Sequence, residues 1–186
     1  MAETGRPLPA IEQPREAERR KYVRLASRSA GRYGGTNHGR HAYALVLSWQ
    51  PRFVVDFGCG NNAFIRALRR RGVDGLGIDW ANDDADIAAP MHRVPLAGGI
   101  ADVVTSFDAL EHLLPEDVDP VLAEMRRVGR PGGRFVFSIC TRPSRITVDG
   151  RNLHPTVRPI EWWIGRIGRV GTVGSAGRYV AGVWHA

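Results

Sequence analysis

A β-branched apolar run interrupted only by Asp56 leads straight into two glycines, Gly58 and Gly60. Beyond them, Phe64, Ile65 and Leu68 recur at helical spacing. This pattern predicts a strand over about 52–56, a tight loop, and a helix from about Asn62 capped by Asn61 or Asn62. The helix closes on three consecutive arginines, 69–71, and Gly72, which place cations at the negative end of its dipole and a glycine stop behind them. Further apolar runs predict strands over 75–79, 85–87, 101–107 and 134–140. Between the last two, Val121, Leu122, Met125 and Val128 form the apolar face of a helix over about 119–128, with Asp119 as its cap and Pro120 in its first turn. Residues 130–133 read as a turn, and 171–174 with 178–184 as an antiparallel hairpin. Strands alternating with helices before a terminal hairpin predict an α/β sandwich on a mostly parallel sheet.

The first fifty residues pattern differently. Residues 1–14 carry three prolines and no apolar periodicity, which predicts a disordered tail. A basic helix is expected over about 15–29, with Tyr22, Val23 and Leu25 as its apolar content. A glycine-rich segment, 31–40, presents Tyr33 and His38 as recognition side chains, and a second helix over 41–49 ends before Pro51. The chain therefore divides into a tail (1–14), a helical cap or lid (15–50) and one α/β domain (51–186).

Composition narrows the classes. A chain of 186 residues supports one domain with a sizeable core. No apolar run reaches the roughly 18 residues of a membrane span, and the N-terminus has no apolar stretch of signal-peptide length. Two cysteines give no disulfide framework, so a cytoplasmic protein with reduced thiols is expected. The net charge of +7 is unevenly spread: +5 over 1–50, −3 over 51–139 and +5 over 140–186. Basic flanks around an acidic centre can steer an anionic partner, whether a small phosphorylated or sugar-linked molecule or a nucleic acid.

The glycine loop carries the first chemical signal. A phosphate-binding loop seldom places a carboxylate before its glycines, whereas a loop that holds a cation can use Asp56. A second carboxylate, Asp79, ends the next strand about twenty residues later, where α/β nucleotide sites bind ribose hydroxyls. The third glycine of the G-x-G-x-x-G fingerprint is missing, which argues against hydride chemistry.

These motifs, together with residues 101–113 ending in Glu111-His112-Leu113 and the Pro-Gly-Gly turn before the fifth strand, resemble class I S-adenosylmethionine-dependent methyltransferases. The resemblance implies a Rossmann-like three-layer α/β sandwich with a mostly parallel seven-stranded sheet and an antiparallel last strand. It implies S-adenosyl-L-methionine as cofactor, with Asp56, Gly58 and Gly60 near its methionine part and Asp79 on its ribose. Asp86 and Ile87 would lie beside the adenine, and Trp80 and Phe107 would complete the cofactor pocket. Asn61 and Asn62 stand where the family often has further glycine.

Methyl transfer to a hydroxyl needs a base and an aligned acceptor. Glu111, His112 and His154 are the catalytic candidates, and Tyr33, His38, Arg142, Arg158 and Trp162 the candidates for acceptor binding. An alternative follows from family members that hold a divalent metal at such a Glu-His pair; here the set would be Asp108, Glu111, His112 and His154. The expected acceptor is a small, anionic or sugar-containing metabolite methylated on oxygen or nitrogen. RNA or another nucleic acid is the second reading, and a non-catalytic cofactor-fold protein the third.

Overall fold

The structure is a computed structural model that describes residues 12–28, 38–177 and 179–186. Tyr33 and the tail before Glu12 lie outside the described residues. Helix α1 spans Glu12–Arg28, beginning ahead of its expected start. A 3-10 turn, His38–Ala42, runs into α2, Tyr43–Ser48. Strand β1 is Phe53–Phe57, α3 Ala63–Arg69, β2 Asp74–Asp79, β3 Ile87–Ala88 and β4 Ala101–Phe107. Then come α4, Val118–Val128, β5, Gly129–Ser138, and a small hairpin of β6, Thr147–Val148, with β7, Arg151–Asn152. Helix α5, Ile160–Ile167, precedes β8, Gly171–Ala176, and β9, Tyr179–Trp184.

Seven strands form one sheet in the order β3-β2-β1-β4-β5-β9-β8. The first five run parallel, and β9 enters antiparallel between β5 and β8. Alternation along the strands separates two cores. Val55, Val104, Phe135, Phe137 and Val180 face α4 and α5, whose Leu122, Met125, Trp163 and Ile167 are fully buried or nearly so. Their chain neighbours Val54, Val103, Val136 and Ala181 face α2 and α3 through Val46, Phe64, Ile65 and Leu68. This is the expected three-layer sandwich. No helix among the described residues is long and apolar enough to cross a membrane.

Three local expectations change. Asp117, not Asp119, occupies the N-cap of α4 and makes no capping bond there, because its carboxylate is taken by Arg15 of α1 at 2.5 Å. The Pro-Gly-Gly segment lies inside β5 as an excursion, with Gly132 at φ +68°, and pairing to β4 shifts from Ala101–Gly129 to Val103–Arg134 across it. Of the two expected caps of α3, Asn61 accepts from the Ala63 amide at 3.1 Å, while Asn62, at the N-cap position in the left-handed region, turns its side-chain amide to Asp86.

Candidate active site

The ends of β1, β2 and β4 open into a cavity of about 400 Å³. The glycine loop forms one end of it. Gly58 at φ +73° and Gly60 at φ +53° use a region that costs other residues about 1–2 kcal/mol. A Cβ on Gly58 would come within 2.5 Å of the Ala109 Cβ, so glycine is also required by space. The Gly58 and Cys59 amides both donate to the Ile78 carbonyl, which fastens the loop to β2.

Two carboxylates stand at this end. Asp56 is 3% exposed and accepts a 2.7 Å bond from the Thr105 hydroxyl. Burial pushes its pKa up to about 7; the Thr105 bond opposes this and the Asp79 charge adds to it. Asp79 Oδ2 accepts from the Gly60 amide at 3.1 Å and Oδ1 from the Ala81 amide at 2.8 Å. Burial raises its pKa against the amide bonds from Ala81, Gly60 and Asn82. Among the described residues no Lys or Arg lines the cavity. A buried carboxylate without a cationic neighbour favours a ligand that brings its own positive charge. The pair Asp56 and Asp79 therefore fits a group carrying an ammonium and a ribose diol. Trp80 and Phe107 line the same end, with Phe107 packed at 4.8 Å on Phe64.

Asp86 and Ile87 do not line the cavity. The Asp86 carboxylate accepts from the Gly77 amide at 2.8 Å and the Asn62 side chain at 2.9 Å, and pairs with Arg69 at 2.9 Å. These partners outweigh its desolvation and hold its pKa below the usual carboxylate range. Its place is structural: it ties β2 to the start and end of α3. Ile87 packs against the α4–α5 core.

At the other end stand Glu111, His112 and His154, with Glu18 and Tyr22 of α1 over them. Glu111 is fully buried with no well-aligned hydrogen bond to either oxygen, and desolvation pushes its pKa up to about 8 against the nearby amides of Glu111 and Cys140. His112 Nδ1 lies 3.1 Å from the Leu153 carbonyl and 3.1 Å from the Tyr22 hydroxyl. A carbonyl only accepts, so Nδ1 carries the hydrogen. Burial, reinforced by His154, pushes the His112 pKa down to about 3, leaving a neutral imidazole. The His112 and His154 rings meet edge to face at 4.7 Å. His154 Nδ1 lies 2.8 Å from the Arg142 carbonyl, which by the same argument leaves Nε2 with its lone pair.

Asp108 does not join this cluster. Its Oδ2 is 2.6 Å from His38 Nδ1, and its Oδ1 accepts from the Ser138 hydroxyl at 2.8 Å. Arg142 contributes its carbonyl to His154, but neither its side chain nor Arg158 or Trp162 lines the cavity. Trp162 is half-buried on α5, with the Arg166 guanidinium 4.1 Å over its ring and Arg158 at 5.8 Å. Its neighbour Trp163 is the fully buried core residue.

Among the wall residues that sequence reasoning missed, three carry chemistry at the acceptor end. Glu18 and Tyr22 lie four apart on α1, a spacing that puts them on one helix face. The Tyr22 hydroxyl donates to the Leu153 carbonyl at 2.9 Å, docking the helix across the cavity. Cys140, just past β5, is the third; one isolated cysteine carries no pattern from which to predict a partner.

Residues 55–137 match the family described as "Methyltransferase domain". A ubiquinone biosynthesis O-methyltransferase of Methylococcus capsulatus is 31% identical over 107 residues, which are 49% of this chain and 44% of that protein. A malonyl-acyl-carrier-protein O-methyltransferase of Serratia marcescens is 30% identical over 128 residues, 60% of this chain and 49% of that protein. The chain thus spans about half the length of the curated relatives it matches. In fold it is similar to the 1,6-didemethyltoxoflavin-N1-methyltransferase of Burkholderia thailandensis, solved with 1,6-didemethyltoxoflavin and S-adenosylhomocysteine bound. The TM-score is 0.77 at 15% identity, covering 98% of this chain and 94% of the other. Residues 55–137 thus match a methyltransferase domain, and the chain as a whole shares the fold of the Burkholderia thailandensis methyltransferase.

Proposed function

We propose that this chain transfers the methyl group of S-adenosylmethionine to an oxygen or nitrogen of a small acceptor. The observation that carries the reading is one continuous cavity with the Asp56–Asp79 pair at one end and Glu111, His112 and His154 at the other. Asp56 would hold the cofactor ammonium, Asp79 the ribose hydroxyls, and Trp80 and Phe107 would flank the nucleoside. When bound, the cofactor supplies an activated methyl group. The protein's part is to align the acceptor with that methyl, exclude water and take the acceptor proton. As the acceptor-to-methyl bond forms and the methyl-to-sulfur bond breaks, that proton passes to a base.

The imidazoles divide this work. His112, neutral and fixed by Leu153 and Tyr22, orients the acceptor and is too weak a base to hold a proton near neutrality. His38 is held at Nδ1 by the Asp108 carboxylate, so its Nε2 is the oriented proton acceptor at the cavity rim. His154, held at Nδ1 by the Arg142 carbonyl, lines the same cavity. α1 closes the acceptor end through Tyr22 and Glu18, which supports its role as a lid.

The absence of Lys and Arg from the described wall revises the expected acceptor. A phosphate or carboxylate entering here would find no Lys or Arg on the described wall, because Lys21 is engaged by Glu18 behind it. A neutral hydroxylated or nitrogen-containing small molecule suits the wall better than an anionic one. The named activities of the O-methyltransferase relatives fit an oxygen acceptor. The test is a panel of neutral phenols, sugars and heterocycles, each beside its phosphorylated or carboxylated analogue, with methyl-labelled cofactor. Label transfer to neutral members supports the reading; transfer confined to the anionic analogues, or to RNA, contradicts it.

A further inference from the structure

We infer that Glu111, Cys140 and His154 form a site for one borderline-soft divalent cation such as Zn²⁺ at the acceptor end of the cavity. A carboxylate oxygen, the Cys140 Sγ and an imidazole nitrogen from these residues all lie within 4.8 Å of one another. Tetrahedral zinc with bonds of about 2.0–2.3 Å spaces its donors roughly 3.3–3.8 Å apart, so the three need to close by about 1 Å.

A second observation points to a ligand there independently. Glu111 is fully buried and neither carboxylate oxygen is in a well-aligned hydrogen bond, its own amide and that of Cys140 only approaching it. Unpaired buried carboxylates are rare, and a coordinated cation is one of the few partners that satisfies them. The backbone holds Glu111 firmly: its carbonyl accepts from the Thr156 amide at 3.2 Å, and the Thr156 hydroxyl donates to the Leu113 carbonyl at 2.7 Å. These bonds fasten the segment bearing His154 to the segment bearing Glu111.

The outer contact of His154 suits coordination as well. The Arg142 carbonyl receives His154 Nδ1 at 2.8 Å, which sets the tautomer and turns the Nε2 lone pair away from it. The Cys140 thiol donates to the same carbonyl at 3.6 Å and gives up that bond when it coordinates as the thiolate. A carboxylate, a thiolate and a neutral imidazole together balance a dication. The thiolate selects zinc or a similar ion over Mg²⁺ or Ca²⁺, which prefer all-oxygen ligands. All three residues line the cavity, so a further coordination position faces the acceptor.

This ligand set differs from the one expected from the sequence. Asp108 is engaged by His38 and Ser138, and His112 Nδ1 by Leu153. The ion's use, polarising an acceptor hydroxyl, rests on the methyltransferase reading; the ligand set does not.

The experiment titrates the metal-stripped full chain with Co²⁺, follows visible and near-ultraviolet absorption, and competes the ion with Zn²⁺. One equivalent of Co²⁺ with a thiolate-to-cobalt charge-transfer band, displaced by Zn²⁺, is expected. Cys140→Ser should abolish that band, Glu111→Gln and His154→Gln should each weaken binding at least tenfold, and Asp108→Asn should leave it unchanged. A wild-type chain without a thiolate band, or a band that survives in Cys140→Ser, overturns the site. Calorimetry with S-adenosylhomocysteine on the same samples separates the two readings. Nucleoside binding without cobalt binding removes the metal site alone, and cobalt binding without nucleoside binding removes the methyltransferase reading alone.

Discussion

Asp56 and Thr105 face each other in register across β1 and β4, and the Thr105 hydroxyl donates to Asp56 Oδ1 at 2.7 Å. The bond orients the carboxylate, but burial still raises its pKa to about 7, well above the ordinary value of roughly 3.9. A raised folded-state pKa means that the buried, protonated Asp56 favours the fold at low pH. That contribution is lost as the pH rises through 7. A cationic ligand reverses the penalty by pairing with the ionised form.

The first prediction follows from this sign. Between pH 5.5 and 7.5, below the α-amino pKa of roughly 7.7–8.0, the gain in melting temperature from S-adenosylmethionine should grow with pH. Asp79 and Glu111 are shifted in the same direction, so Asp56→Asn is the control. Differential scanning fluorimetry with and without cofactor should show the pH trend in the wild type and its loss in the variant. A constant gain would remove Asp56 as the ammonium partner.

Asp79 and Asp86 separate cofactor binding from scaffolding. Asp79→Ala should weaken S-adenosylhomocysteine at least tenfold, because the ribose loses a charged acceptor worth about 1.5–3 kcal/mol. Asp86→Ala cuts the bonds to Gly77, Asn62 and Arg69 and should cost about 1–3 kcal/mol of folding stability. Its effect on cofactor affinity should be smaller than that of Asp79→Ala. Urea unfolding beside calorimetry checks both; the reverse ranking would return Asp86 to the adenine site.

Gly58→Ala meets two obstacles at once, a φ of +73° and the Ala109 Cβ at 2.5 Å. We expect a loss of about 2 kcal/mol or more and no measurable cofactor binding, read by thermal unfolding and calorimetry. Unaltered binding would show that the loop relaxes without involving the site.

Tyr22→Phe removes the hydroxyl that joins α1 to the Leu153 carbonyl. The expected cost is about 1 kcal/mol, seen as faster amide exchange over 12–28 with the sheet unaffected. Unchanged exchange there would mean that the Arg15–Asp117 pair alone docks the helix.

Most of the sheet was legible because its strands are short apolar runs bounded by Gly, Pro or Asp. Asp56 and Asp79 stood out for the same reason, as carboxylates at the ends of such runs. Pairing across long sequence separations was not legible. Asp86 looked like a site residue until Gly77, Asn62 and Arg69 were found around it. Asp117 was unreadable as the Arg15 partner, 102 residues away. Arg142, Arg158 and Trp162 carried recognition-type chemistry, yet α5 turns Trp162 toward its own arginines. Glu18 and Tyr22 were hidden because the docking of α1 depends on tertiary partners on the far side of the cavity.

The most direct test of the account is isothermal titration of the chain with S-adenosylmethionine and S-adenosylhomocysteine. The account predicts one saturable site for each, with Asp56→Asn and Asp79→Ala both strongly weakened. No saturable heat from the folded wild-type chain, or binding indifferent to both substitutions, would contradict it.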